Sequence, residues 1–156
     1  MRRILTVGIV MLTGFFALSL FTSCFDNEEG SDVVDDAATC WADAYFNYDL
    51  KTAQRYVTPE SRDWLSFLAS NMTEADVEIL RQQDEEAVVQ LVSCEQVDDS
   101  TWMATLTVSN FMMIDSLGQT GHMVGEAEFS VPVVQRNKRT FVRMEGLPRS
   151  GRQSRD

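Results

Sequence analysis

Few side chains in this chain of 156 residues could do chemistry. The three thiols of Cys24, Cys40 and Cys94 could be acylated, paired or left as small buried hydrophobes. His122, the sole histidine, could act as a general base, but its place beside Gly121 reads as an exposed turn. Trp41, Tyr45, Tyr48 and Trp64 have the type and spacing to line a ligand pocket, although a stripe such as Trp41 and Tyr45 is more often core. Met103, Met112, Met113, Met123 and Met144 could offer soft thioether ligands. Without clustered His or Cys they read as core filler, and neither a metal nor another cofactor is expected. No zinc-ligand spacing, nucleophile elbow or phosphate-cradling loop occurs. No residue is assigned a catalytic role, and an enzyme is the less favoured reading.

Each of these groups depends on the element that carries it. Arg2 and Arg3 precede an apolar run over residues 4–21, the pattern of a secretion signal, with an uncleaved anchor helix as the alternative. The run closes on Leu20-Phe21-Thr22-Ser23-Cys24, which resembles the lipobox of bacterial lipoproteins. That resemblance implies removal of residues 1–23 and acylation of Cys24. Two or three acyl chains suffice to hold a domain on a membrane, since each buried methylene contributes about 0.8 kcal/mol. Residues 25–32 carry four acids and no base, which predicts a disordered tether over 24–31. The stretch also resembles the acidic segment of Gram-negative lipoproteins carried to the cell surface. The expected address is therefore the cell envelope, as an outer-membrane lipoprotein that is either periplasmic or surface-exposed.

Charge excludes some partners. The formal net charge is −11, and losing residues 1–23 with their two arginines leaves −13. So acidic a surface argues against nucleic acid as a partner. In an oxidising compartment Cys40 and Cys94 could pair, and closing a loop of that length contributes roughly 4 kcal/mol on the chain-entropy account. Spacing cannot decide between a disulfide and two unpaired buried thiols.

The folded part is expected at 32–147. Residues 32–48 place Val34, Ala37, Ala38, Trp41, Ala44, Tyr45 and Tyr48 on one helical face, with Asp35, Asp36, Thr39 and Asp43 opposite. Asp49 can cap a second helix through Val57. Thr58-Pro59-Glu60 reads as the start of a third, burying Trp64, Leu65 and Leu68. Thr73 can cap a fourth, with Ala75, Ile79 and Leu80 inward. Four strands should follow: 87–97, 101–115, 122–134 and 140–146. In the second, apolar parity slips after Ser109 and Asn110, which predicts a bulge. In the third, Met123, Ala127, Phe129, Val131 and Val133 should face inward. Residues 148–156 read as a flexible basic tail.

This order predicts an α+β domain, with N-terminal helices packed on a bent four-stranded antiparallel sheet. Together with Trp41, Tyr45, the phrase Tyr48-Asp49-Leu50-Lys51-Thr52-Ala53-Gln54-Arg55-Tyr56-Val57-Thr58-Pro59-Glu60 and the closing Lys138-Arg139-Thr140-Phe141-Val142, it resembles small bacterial lipoproteins of the cone-shaped nuclear transport factor 2-like, or cystatin-like, fold. The resemblance implies a conical cavity between the first helix and the sheet. Members with such a cone include isomerases, cyclases and dehydratases as well as proteins that only bind or dimerise, so function rests on the site.

Two surface features complete the reading. Arg136, Lys138, Arg139, Arg143, Arg149, Arg152 and Arg155 gather late in the chain, as a docking patch or as a solvated turn and tail. Asp115-Ser116-Leu117 resembles the O-glycosylation acceptor of some Gram-negative envelope proteins, with Ser116 as its hydroxyl. The function expected is that of a lipid-anchored, non-catalytic envelope lipoprotein binding a small ligand or another envelope protein. An isomerase or cyclase using the cone, and a structural homodimer, are the alternatives.

Overall fold

The structure, a computed structural model, describes residues 29–115 and 118–153. Helix α1, Glu29–Phe46, begins three residues ahead of the expected start, inside the acidic stretch read as a tether. Its buried side holds Val34, Ala37, Ala38, Trp41, Ala44 and Tyr45 as the periodicity requires, and also Ala42 and Phe46. The helix ends where Tyr48 takes a left-handed backbone (φ 58°). There the Asn47 side chain clamps the sheet: Ala87 N–H donates to its Oδ1 at 2.8 Å, and its Nδ2 donates to Ala87 O at 3.3 Å.

Asp49 caps α2, accepting from Thr52 N–H, but α2 spans only Leu50–Ala53. The chain then extends. Thr58 N–H donates to Val142 O and Val142 N–H to Tyr56 O, so these residues join the sheet instead of prolonging the helix. Pro59–Ser61 is a single 3-10 turn leading into α3, Arg62–Asn71, whose Leu65 and Leu68 are buried. Helix α4, Glu74–Gln82, opens with a capping box between Thr73 and Asp76. It does not bury Ala75 as expected; the buried residue on α4 is Asp76.

The sheet comprises β1 (Val88–Asp98), β2 (Thr101–Met113), β3 (His122–Arg136), β4 (Arg139–Val142) and β5 (Ser150–Gln153), all antiparallel. β1, β2 and β3 follow one another, and β4 and β5 share the far edge of β3 at different levels. The expected four strands are therefore five, and the tail read as flexible supplies the fifth. β3 is 15 residues long and β4 pairs only its last four, so a free edge remains for the returning chain to fill. The β3–β4 turn is tight because Asn137 and Lys138 both adopt positive φ, the backbone of a type I′ hairpin.

The parity slip in β2 has a different cause from the one expected. Register runs unbroken from Ser109↔Glu126 to Phe111↔Val124, without an inserted residue. Asn110 turns the strand over with φ 55°, held by Nδ2 donating to Glu85 O and by Gln83 Nε2 donating to its carbonyl. Beyond this kink Val124 packs on the core while Met123 is exposed, contrary to expectation. The register shifts lie in β1, between Leu91 and Ser93 and between Gln96 and Asp98, leaving Val92 and Val97 as the inserted residues.

Candidate functional site

α1 lies across the concave face of β1 to β4, and aromatic rings fill the space between. Trp41 is wholly buried and stacks on Tyr45, with centroids 5.0 Å apart and planes at 26°. Phe46 sits edge-on to Phe111 at 5.1 Å and tilted on Phe129 at 4.7 Å. What remains beside Tyr45 and Tyr48 is about 30 Å3, room for roughly one water molecule. Leu147 and Pro148 line this remnant from the side of the arch formed by residues 143–149. The arch is fixed where Met144 N–H donates to the buried Ser61 hydroxyl at 2.8 Å. That hydroxyl is also 2.7 Å from Thr58 Oγ1.

Part of the interior's polar complement is engaged, although the Trp41 indole N–H has no partner. The Tyr48 hydroxyl donates to Met112 O at 3.1 Å, and burial pushes the phenols of Tyr45 and Tyr48 far above their ordinary range. Asp76, a fully buried acid that the sequence reading missed, could have been the base such a cone needs. Instead its Oδ2 accepts from Thr73 N–H (2.7 Å) and the Thr73 hydroxyl (2.8 Å), and its Oδ1 from Gly121 N–H (2.7 Å). Burial alone would raise its pKa; the bonds from Gly121 and Thr73 outweigh that and hold the carboxyl below its usual range. A carboxylate with both oxygens committed to backbone donors is structural, not a proton acceptor for a substrate. The signal that could have revealed it was the Thr73-x-x-Asp76 spacing of a capping box.

Of the four expected pocket residues, Trp41, Tyr45 and Tyr48 converge on this filled interior, and Trp64 does not. Trp64 lines an open groove of about 730 Å3 on the outside, with Ile114, Asp115, Glu145, Leu147 and Arg149. Phe67 packs edge-on to Trp64 at 6.0 Å. His122 is half exposed, its Nδ1 3.5 Å from Asp115 Oδ2, and so lies beside the groove rather than in the cone.

Cys40 and Cys94 are unpaired. Cys40 is exposed on α1, beside the Tyr56 hydroxyl, so the picture of two buried thiols fails as well. Cys94 lies against Asp35, and burial together with that carboxylate pushes its thiol up to about 11. Within the basic cluster, Arg136 pairs with Glu60 at 2.9 Å, Arg143 Nε lies 3.2 Å from Glu145, and Arg139 covers the Phe141 ring at 5.2 Å. Among the described residues no three of His, Cys, Asp and Glu group as a metal site. Cys24 and Ser116 lie outside the described residues.

No protein-family model matches this sequence, and no curated protein does. Among solved structures the chain is similar to an NTF-2 like protein of unknown function from Shewanella oneidensis MR-1. The TM-score is 0.49 at 11% identity, covering 72% of this chain and 93% of that one. It is also similar to an Ntf2 like protein involved in plasmid conjugation, with TM-score 0.39 and 13% identity over 83% of this chain and 51% of that one.

Proposed function

We propose that this chain is a lipid-anchored envelope protein that works by docking on another envelope protein, through the groove beside Trp64, and not by catalysis. The observation that carries this reading is the filled interior: about 30 Å3 remains there, and its buried acid is spent on backbone donors. An isomerase or cyclase would need a free base inside an apolar pocket, and a drug-sized ligand would need more room than the remnant beside Tyr45 and Tyr48. The groove supplies both apolar and charged surface on a face that α1 and the sheet leave open. Anchorage rests on Leu20-Phe21-Thr22-Ser23-Cys24 and the acidic residues after it, which would leave the domain tethered to the outer membrane.

A homodimer remains a second reading because β1 exposes Val88, Val92 and Val97, at 54%, 59% and 62%. An uncovered apolar strand edge of this kind favours pairing with another chain.

Two measurements in intact Gram-negative cells test the proposal. Labelling with an alkyne fatty acid should mark the wild-type chain and not Cys24→Ala, which should leave the membrane fraction. Chemical crosslinking should give one discrete heterologous species that Trp64→Ser abolishes. An unlabelled wild-type chain would overturn the anchor, and a crosslink indifferent to Trp64 would overturn the docking face.

A further inference from the structure

The edge of β3 is paired at two levels and open between them. β4 covers Val133 to Arg136, and Arg143 N–H closes on Pro132 O at 2.8 Å. β5 returns only at Ala127 to Phe129. Between these levels the chain leaves the sheet as the 143–149 arch. The arch and the β3 edge line an open pocket of about 260 Å3, which shares residues 145–149 with the groove outside and Leu147 and Pro148 with the remnant beside Tyr45 and Tyr48.

Chemistry in the wall of this pocket is unbalanced. Val131, Val142 and Leu147 give it an apolar side, and Arg143 and Arg149 bring two guanidinium groups against the single carboxylate of Glu145. Two N–H donors belonging to its lining residues, Trp41 Nε1 and Arg143 Nε, are buried without a hydrogen-bond partner. Glu145 lies 3.2 Å from Arg143 Nε but is not aligned to accept from it. Buried donors are almost always satisfied, and the Trp41 indole N–H has no acceptor within the described residues. Trp41 is itself 0% exposed, which makes its indole N–H a fixed donor rather than a mobile surface group.

We propose that this pocket binds a small monocarboxylate with a short apolar body, received by the Arg143 guanidinium and the Trp41 indole N–H. Arginine suits this role because its planar fork matches a carboxylate's two oxygens. The volume lies below the roughly 300 Å3 at which drug-sized ligands begin to fit, which restricts the body to a short alkyl chain or one ring. The proposal does not rest on docking beside Trp64, although residues 145–149 border both openings.

The test uses the full chain in detergent, with its three tryptophan indole resonances assigned by Trp→Phe replacement. Benzoate and butanoate are titrated against benzamide and butanamide as neutral counterparts. A carboxylate should shift the Trp41 indole resonance saturably and leave that of Trp102 unmoved; the amides should not shift it. Arg143→Gln should weaken the response at least tenfold while the Trp64 and Trp102 resonances keep their positions. Should that variant fail to fold, Arg149→Gln is read instead, with a several-fold loss expected. No saturable shift, an equal response to the amides, or full affinity in the readable arginine variant would each overturn the proposal. Because Trp64 is reported in the same spectra, failure here is distinct from failure of the docking face.

Discussion

Asp76 Oδ1 accepts a 2.7 Å hydrogen bond from the backbone N–H of Gly121, 45 residues further along the chain. The same carboxylate caps α4 through Thr73, so one buried charge ties the start of that helix to the loop entering β3. Gly121 suits the contact for a second reason. A Cβ there would meet the Met112 side chain at 3.0 Å and Met113 O at 3.1 Å.

Replacing Asp76 by Ala should therefore orphan three donors, and we expect a loss of about 2–4 kcal/mol in chemical unfolding. The pH dependence has a definite sign. A carboxyl depressed in the folded state stabilises above its unfolded pKa of about 3.9, and the contribution is lost as pH falls through the lower folded value. Wild type should thus lose more stability than Asp76→Asn between neutral pH and pH about 3. Equal acid profiles for the two proteins would show that the carboxylate is not tied in this way.

At the alkaline end the sign reverses. Tyr45 and Tyr48 hold their protons in the folded state, so their contribution is complete below the unfolded pKa of about 10 and declines as pH rises above it. Ultraviolet titration should show phenolate from these two only together with loss of near-ultraviolet ellipticity. Reversible ionisation of all three tyrosines in a still-folded chain would contradict a filled interior.

The cysteines give a simple chemical readout. A maleimide at neutral pH should modify exposed Cys40 quickly and Cys94 slowly, because the Cys94 thiol is half-buried and pushed up to about 11. Denaturation should equalise the rates. A non-reducible fast site at Cys94, or protection of both thiols until a reductant is added, would count against this arrangement.

Interior and groove should separate in mutagenesis. Phe46→Ala removes a ring held between Phe111 and Phe129 and should cost about 3–5 kcal/mol. Trp64→Ala, at the groove, should cost about 1 kcal/mol yet abolish the heterologous crosslink. The contrast is measured by unfolding of both variants alongside crosslinking.

How much of this could be read from residues alone varies with the physics involved. The face of α1, the Asp49 cap, the Thr73 cap and the tight turn after Arg136 are local, set by neighbours a few residues apart, and they stand in the structure. Periodicity does not mark Asp76 as buried, because its partner Gly121 is distant in sequence. Ser150–Gln153 has no apolar alternation, and only the free length of β3 makes it a strand. Phe46 lies one residue beyond Tyr45, off the stripe expected for the helix, yet it occupies the centre of the cone. A sequence reveals which faces are apolar, whereas the distance between two faces, and so the presence of a cavity, depends on how side chains interlock.

The central claim is that the protein acts through its outer groove. Its most direct test is a photo-crosslinking amino acid placed at position 64, and in parallel at Gln90 on β1, in the full chain in living cells. The account predicts one discrete heterologous adduct from position 64, lost on Leu147→Glu, and none from position 90. Adducts of equal yield from both positions, or from neither, would contradict it.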